Sequence, residues 1–95
     1  MRLELSRQAE SDLADIRDYS VEQFGLARAI SYLDAIETAF RRIMTYPEMG
    51  GVHGKIEPPV RSLACHRHRI FYVIERDAIV VQRILHGAMD VDRHL

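Results

Sequence analysis

The eight residues Ile79-Val80-Val81-Gln82-Arg83-Ile84-Leu85-His86 constrain this chain more than any other stretch. Read as a strand, they put Ile79, Val81 and Leu85 on one face and Val80 and Ile84 on the other, because side chains alternate along a strand. A strand apolar on both faces belongs inside a sheet, covered on at least one side. Gln82 and Arg83 interrupt it and are expected on opposite faces. An arginine in a central strand is costly unless it is paired or opens into a groove. Arg83 is therefore the first functional candidate.

The preceding chain supplies a cover for such a sheet. Arg2-Leu3-Glu4-Leu5 alternates polar and apolar residues, as a short strand does. Ser6 is a plausible N-cap, with Glu10 and Asp12 near the positive end of the next helix. From Arg7 to Phe24 the positions Ala9, Leu13, Ile16, Ser20 and Phe24 form one helical stripe, with Tyr19 beside it. Glu10, Asp15, Asp18 and Glu22 make the opposite, solvated face. Gly25 predicts a left-handed stop. A stronger stripe comes next, through Leu26, Ala29, Ile30, Leu33, Ile36, Phe40, Ile43 and Met44. Two amphipathic helices joined by so short a turn predict an antiparallel hairpin. Tyr46-Pro47 ends the second helix, because the residue before proline is pushed out of the helical region.

Pro47 to Pro59, with Gly50-Gly51, Gly54 and Pro58-Pro59, reads as a long loop. Val60–Cys65, His68–Arg76 and Ala78–His86 then read as three strands. Glu75-Arg76-Asp77-Ala78 gives a tight turn between the last two. The expected fold is α+β: an N-terminal strand, an antiparallel helical hairpin, a three-stranded antiparallel meander and a short C-terminal tail over Asp90–Leu95. Residues 1–95 make a single domain, since a chain this short has material for one core.

Composition narrows the function classes. The formal net charge is −1, which argues against a protein whose main task is to neutralise phosphates. Charge is uneven: residues 1–59 carry seven Lys/Arg against ten Asp/Glu, and residues 60–95 carry six Arg against four acidic residues. The second half thus presents a mildly basic face. Cys65 is the lone cysteine and has no internal disulfide partner. Met1-Arg2-Leu3-Glu4 leads directly into a patterned element, so no signal peptide is expected, and no apolar run reaches a membrane span of roughly 20 residues. These features predict a cytoplasmic protein without a membrane partner.

Arg61, His66, Arg67, His68, Arg69 and Tyr72 form the densest polar cluster. In a meander, His86 at the end of the last strand falls beside His68. Histidine, tyrosine and arginine together suit proton transfer with stabilisation of a phosphorane on RNA. The plainer reading is a packed tyrosine beside a solvated basic edge. Cys65, His66 and His68, completed by His53 and His86, do not make a clean zinc shell, because Cys65 and His66 fall on opposite strand faces. A buried apolar thiol is expected for Cys65, and no metal or cofactor is expected. Asp12 and Asp15 share a helix face and read as solvated surface. Glycine-rich phosphate loops, zinc-protease motifs and a Ser-His-Asp order are missing from the sequence.

The chain resembles the ParE branch of the RelE/ParE toxin superfamily. The resemblance is carried by Leu5-Ser6, Asp12-Leu13, Ile16, Tyr19-Ser20, Phe24-Gly25, Ala29, Tyr32, Pro47 and Gly50. More specific are Val60-Arg61, His68-x-Ile70-Phe71-Tyr72, Arg83-Ile84-Leu85-His86, Met89-Asp90 and the closing Arg93-His94-Leu95. Each is weak alone; their order and spacing are not. The resemblance implies a toxin that is not itself a catalyst, traps DNA gyrase on cleaved DNA, and is neutralised by a ParD-like antitoxin in a hetero-oligomer. It implies no sequence-specific nucleic-acid binding by the toxin alone. Arg61, Tyr72, Arg83, His86, Met89 and Asp90 match family positions and are the expected toxicity set, with Arg83 and Asp90 a possible structural pair across the tail. Ile30, Leu33, Ile36 and Phe40, more apolar surface than one small sheet needs, are the expected contacts of an antitoxin helix, and an antitoxin strand added to a sheet edge is the other expected mode. The alternative is a ribosome-dependent RNase of the RelE kind using Arg69, His86 and His94. Gly87-Ala88-Met89-Asp90, neither basic nor aromatic, counts against it. A third reading is a decayed toxin that only binds antitoxin.

Overall fold

The computed structural model describes residues 1–53 and 59–87. The expected tail, with Met89, Asp90 and His94, lies outside the described residues. Strand β1 (Arg2–Leu5) leads into helices α1 (Arg7–Phe24) and α2 (Leu26–Thr45). A single 3-10 turn, Pro47–Met49, precedes strands β2 (Gly51–His53), β3 (Val60–Cys65), β4 (His68–Ile74) and β5 (Ala78–His86). The sheet order is β1-β5-β4-β3-β2. β1 runs parallel to β5, and all other neighbours are antiparallel.

The strand, hairpin and meander follow the sequence pattern, and β5 is the second of five strands, as its greasy composition requires. Two features depart from expectation. Part of the predicted loop is a strand: β2 pairs Val52 with Arg61 and His53 with Val60 at the sheet edge. Three residues beginning with glycine carry no alternation to read. Second, the β4–β5 ladder slips, so that Phe71 faces Arg83 while Tyr72 faces Val81. Gln82 is the extra residue of a β-bulge, and a bulge reverses the parity of the residues beyond it. Ile79, Val81 and Ile84 therefore share the helix-side core with Ile70, Tyr72, Ile16 and Ile36. Val80 and Leu85 instead join Val60, Phe71 and Val73 in a second cluster. Leu85 is thus not on the Ile79 face, nor Ile84 on the Val80 face.

The first turns of α1 hold this bulge. The Ser6 hydroxyl accepts from the Ala9 amide at 3.0 Å, capping α1, and donates to the Gln82 carbonyl at 2.7 Å. The Ser6 amide donates to the Val81 carbonyl at 2.9 Å. One residue thereby ends β1, starts α1 and ties both to β5. At the other end of α1, Gly25 has φ 86° and ψ 168°, a combination open essentially to glycine alone. It is positive in φ as expected but extended in ψ, which lets a single residue reverse the chain. Helix packing uses Ala9 and Ile16 from α1 and Ala29, Ile36, Ala39 and Ile43 from α2.

Candidate functional site

The stripe of α1 carries a carboxylate. Asp12 lies three residues after buried Ala9 and four before buried Ile16, so it faces the sheet and not the solvent. Its two oxygens take the Arg83 guanidinium bidentately, Nε to Oδ2 at 2.8 Å and Nη2 to Oδ1 at 2.9 Å. Oδ2 also accepts the Ile84 amide at 2.9 Å. Both side chains are largely buried, at 17% and 13% exposure. Burial raises the cost of each charge, and the fork geometry with a third hydrogen bond offsets it. The hydrogen bond to Asp12 raises the Arg83 pKa above its ordinary value. Asp12 is therefore not solvated surface. Arg83 is paired within the described residues, whereas Asp90, its expected partner, lies outside them.

Beside this pair opens a cleft of ≈ 850 Å³ between the helical-hairpin tip and the β3–β4 turn. Asp15, Tyr19 and Phe24 of α1 and Arg28, Ser31 and Tyr32 of α2 wall it on one side; His66, Arg67, His68 and His86 wall the other. His68 and His86 are register partners, as the meander predicted, with rings edge to face at 5.6 Å. Tyr32 Oη and His68 Nδ1 share a hydrogen bond of 2.6 Å. Burial lowers the His68 pKa, the neighbouring His86 lowers it further, and Asp12 partly opposes both. Burial raises the Tyr32 pKa, against a hydrogen bond from the Arg67 backbone. Together these favour a neutral pair, phenol beside imidazole. His66 occupies the turn at φ 54°, a left-handed conformation that costs a non-glycine residue about 1–2 kcal/mol. Its ring lies 5.7 Å from that of Tyr32.

The other expected residues are dispersed. Tyr72 is wholly buried. Its hydroxyl donates to the Pro47 carbonyl at 2.6 Å and accepts the Gly50 amide at 3.0 Å. Arg61 donates to the Glu48 and Gly50 carbonyls, both at 2.9 Å. These two side chains hold the Pro47–Gly50 segment against the sheet, and Tyr72 presents no surface to a partner. Arg69 donates to the Ser62 hydroxyl at 2.9 Å, and Ser62 also bonds His53 Nε2 at 2.9 Å. That network is on the Phe71 side of the sheet, opposite His68 and His86. The structure therefore does not bring Arg69 and His86 together, and His94 lies outside the described residues. Cys65 is buried, and burial raises its thiol pKa. Among the described residues no three potential ligands gather for a metal.

A second groove, ≈ 450 Å³, runs along the hairpin. Leu5, Leu13, Ala14, Leu33, Ile36 and Phe40 form its apolar floor, and Glu10, Arg17 and Glu37 its rim. Three of the four expected antitoxin contacts line it. Ile36 is 1% exposed and is primarily core, while Ile30 is half-exposed and lies outside the groove. Sequence reading named Asp12 and Tyr32 as matches to the family and gave neither a role in the site. For Asp12 a signal existed, since it interrupts an apolar stripe at helical spacing; for Tyr32 the partner His68 is thirty-six residues away, and no local pattern joins the two.

The molecule is thus a two-layer domain, a helical hairpin on a mixed five-stranded sheet, with no assembled metal centre among the described residues. The family described as ParE toxin of type II toxin-antitoxin system, parDE, matches residues 3–91. The chain belongs to that family. It is 34% identical over 92 residues to Toxin ParE1 of Mycobacterium tuberculosis, covering 96% of this chain and 94% of the relative. It is 31% identical over 91 residues to Toxin ParE1 of Caulobacter vibrioides, with the same coverage of 96% and 94%. A chain of the solved structure titled "Chromosomal ParDE TA system from P. aeruginosa" has the same fold, with a TM-score of 0.77, 23% identity, and coverage of 90% of this chain and 95% of that one.

Proposed function

We propose that this toxin poisons DNA gyrase by trapping its cleaved-DNA complex, without acting as a catalyst, and that a ParD-like antitoxin silences it by seating an amphipathic segment in the hairpin groove. The observation that carries the antitoxin part is the groove itself. Leu33 and Phe40 of α2 and Leu13 of α1 stay only partly covered by the fold, in a trough whose rim is charged. Amphipathic helices are received by surfaces of this kind, apolar anchors in the floor and polar residues at the rim. The gyrase part rests on membership of the ParE family over nearly the whole chain. Separation of Arg69 from His86 by the sheet weighs against the ribonuclease alternative, which needs both at one phosphate.

The antitoxin reading is tested by co-expression. Leu33→Glu with Phe40→Glu puts two charges into the groove floor. The expected result is a toxin that still arrests growth but escapes neutralisation, with co-purification of antitoxin lost. Rescue by antitoxin of a folded, toxic double variant would place the antitoxin elsewhere.

A further inference from the structure

We infer that the cleft between the hairpin tip and the β3–β4 turn is a binding site for a nucleoside phosphate, with the base held among the aromatic rings and the phosphate by Arg28 and Arg67. The inference needs neither the gyrase nor the antitoxin reading, and it concerns a different cleft from the hairpin groove.

Four observations converge on this chemistry. The first is size: ≈ 850 Å³ lies within the roughly 300–1,000 Å³ of small-ligand sites. The second is an excess of uncovered aromatic surface at one place. Tyr19 is 60% and Phe24 49% exposed, and the two rings meet edge to face at 6.4 Å. Tyr32, on the same wall, meets His66 of the facing wall in a second ring pair. Planar rings on opposing walls suit a planar base, which stacks on an aromatic side chain by about 1–3 kcal/mol.

Third, the charge balance favours an anion. Asp12 is already neutralised by Arg83. That leaves Asp15 against Arg28 and Arg67, and neither guanidinium is held in an ion pair or a side-chain hydrogen bond among the described residues. Guanidinium groups take phosphate oxygens in a planar fork. Ser31 adds a hydroxyl, and the Asp15 carboxylate an acceptor, for the edge of a base or a ribose. Fourth, His66 occupies a left-handed position that glycine would fill without strain. A residue held in such a conformation directs attention to its side chain, and this imidazole is aimed at Tyr32 in the cleft wall.

The test is an NMR titration of the whole toxin with each of the four ribonucleoside 5′-triphosphates, with inorganic triphosphate, and with a single-stranded pentanucleotide. The histidine and tyrosine ring signals are the readout. The expected result is saturable shifts of His66, Tyr32 and Tyr19 with at least one nucleotide in the millimolar range or tighter. Inorganic triphosphate should bind about tenfold more weakly, since it lacks the base to stack. Arg28→Ala with Arg67→Ala should weaken nucleotide binding about tenfold or more. Tyr19→Ala should weaken the nucleotide and leave inorganic triphosphate unchanged. These side chains are exposed, so the variants should keep the wild-type amide spectrum. A pentanucleotide that outcompetes every mononucleotide would overturn the mononucleotide assignment in favour of a strand-binding groove. Equal binding of nucleotide and inorganic triphosphate, shifts that persist unchanged in the variants, or no shifts at all would overturn the proposal.

Discussion

At the scale of single residues, Asp12 carries the most structural weight for its size. It satisfies a guanidinium and a backbone amide at once, in a place where water reaches neither fully. Asp12→Ala removes the bidentate partner of Arg83 and the acceptor of the Ile84 amide, and should cost about 2–4 kcal/mol, somewhat below the cost of breaking a fully buried pair. Asp12→Asn keeps an acceptor for the Ile84 amide and should lose less. Urea denaturation of the two variants checks the order; equal losses would mean that the amide contact contributes nothing. His68 predicts a pH dependence. Its folded pKa is lowered below the ordinary value near 6.5, chiefly by burial. The unfolded chain therefore binds the proton first as pH falls. Stability is unaffected by this group above about pH 7.5, falls as pH drops through about 6.5, and levels off below the folded pKa. His68→Asn keeps an acceptor for Tyr32 near the Nδ1 position and should flatten that part of the melting-temperature profile. An unchanged slope in the variant would assign the dependence to another group.

At the scale of elements, the order of events in the chain is a set of short-range decisions that meet at one strand. Ser6 caps α1 and grips the bulge, and Asp12 grips the residues just beyond it, so α1 and β5 are registered to each other at two points. The link between the two helices is Gly25 alone. A Cβ there meets nothing within 4 Å, so any loss on substitution comes from the backbone and not from a clash. Gly25→Ala should destabilise by about 1–3 kcal/mol through that conformation, read by chemical denaturation. A neutral result would show that the link relaxes to another geometry. Much of this was legible in sequence: the helical stripes, the glycine between them, and the meander with its short turns. The bulge was not, because Gln82 looks like any polar residue in a strand, and only its pairing reveals it as the extra one. The same slip misassigned Leu85 and Ile84. β2 was illegible for a different reason, having three residues and a partner strand that provides all of its order.

At the scale of the molecule, the residues that the sequence grouped into one polar cluster are parted by the sheet. Arg61 and Tyr72 turn inward and fasten a segment, Arg69 belongs to the far side of the sheet, and only His66, Arg67, His68 and His86 of the basic stretch reach the cleft. Sequence spacing put these residues close together; it did not say on which side of the sheet each would stand, and a sheet is a barrier that chemistry does not cross. The hairpin groove was more visible beforehand, because unburied leucine and phenylalanine on a helix announce a missing cover. The central claim, a family member that acts as a gyrase poison under antitoxin control, is tested most directly by a cleavage assay. Purified toxin freed of antitoxin is incubated with gyrase, ATP and supercoiled plasmid, and the reaction is stopped with detergent and protease. Linear DNA should accumulate with toxin and disappear when antitoxin is added. No linear DNA, from toxin shown to be folded and to arrest growth in cells, would contradict the account.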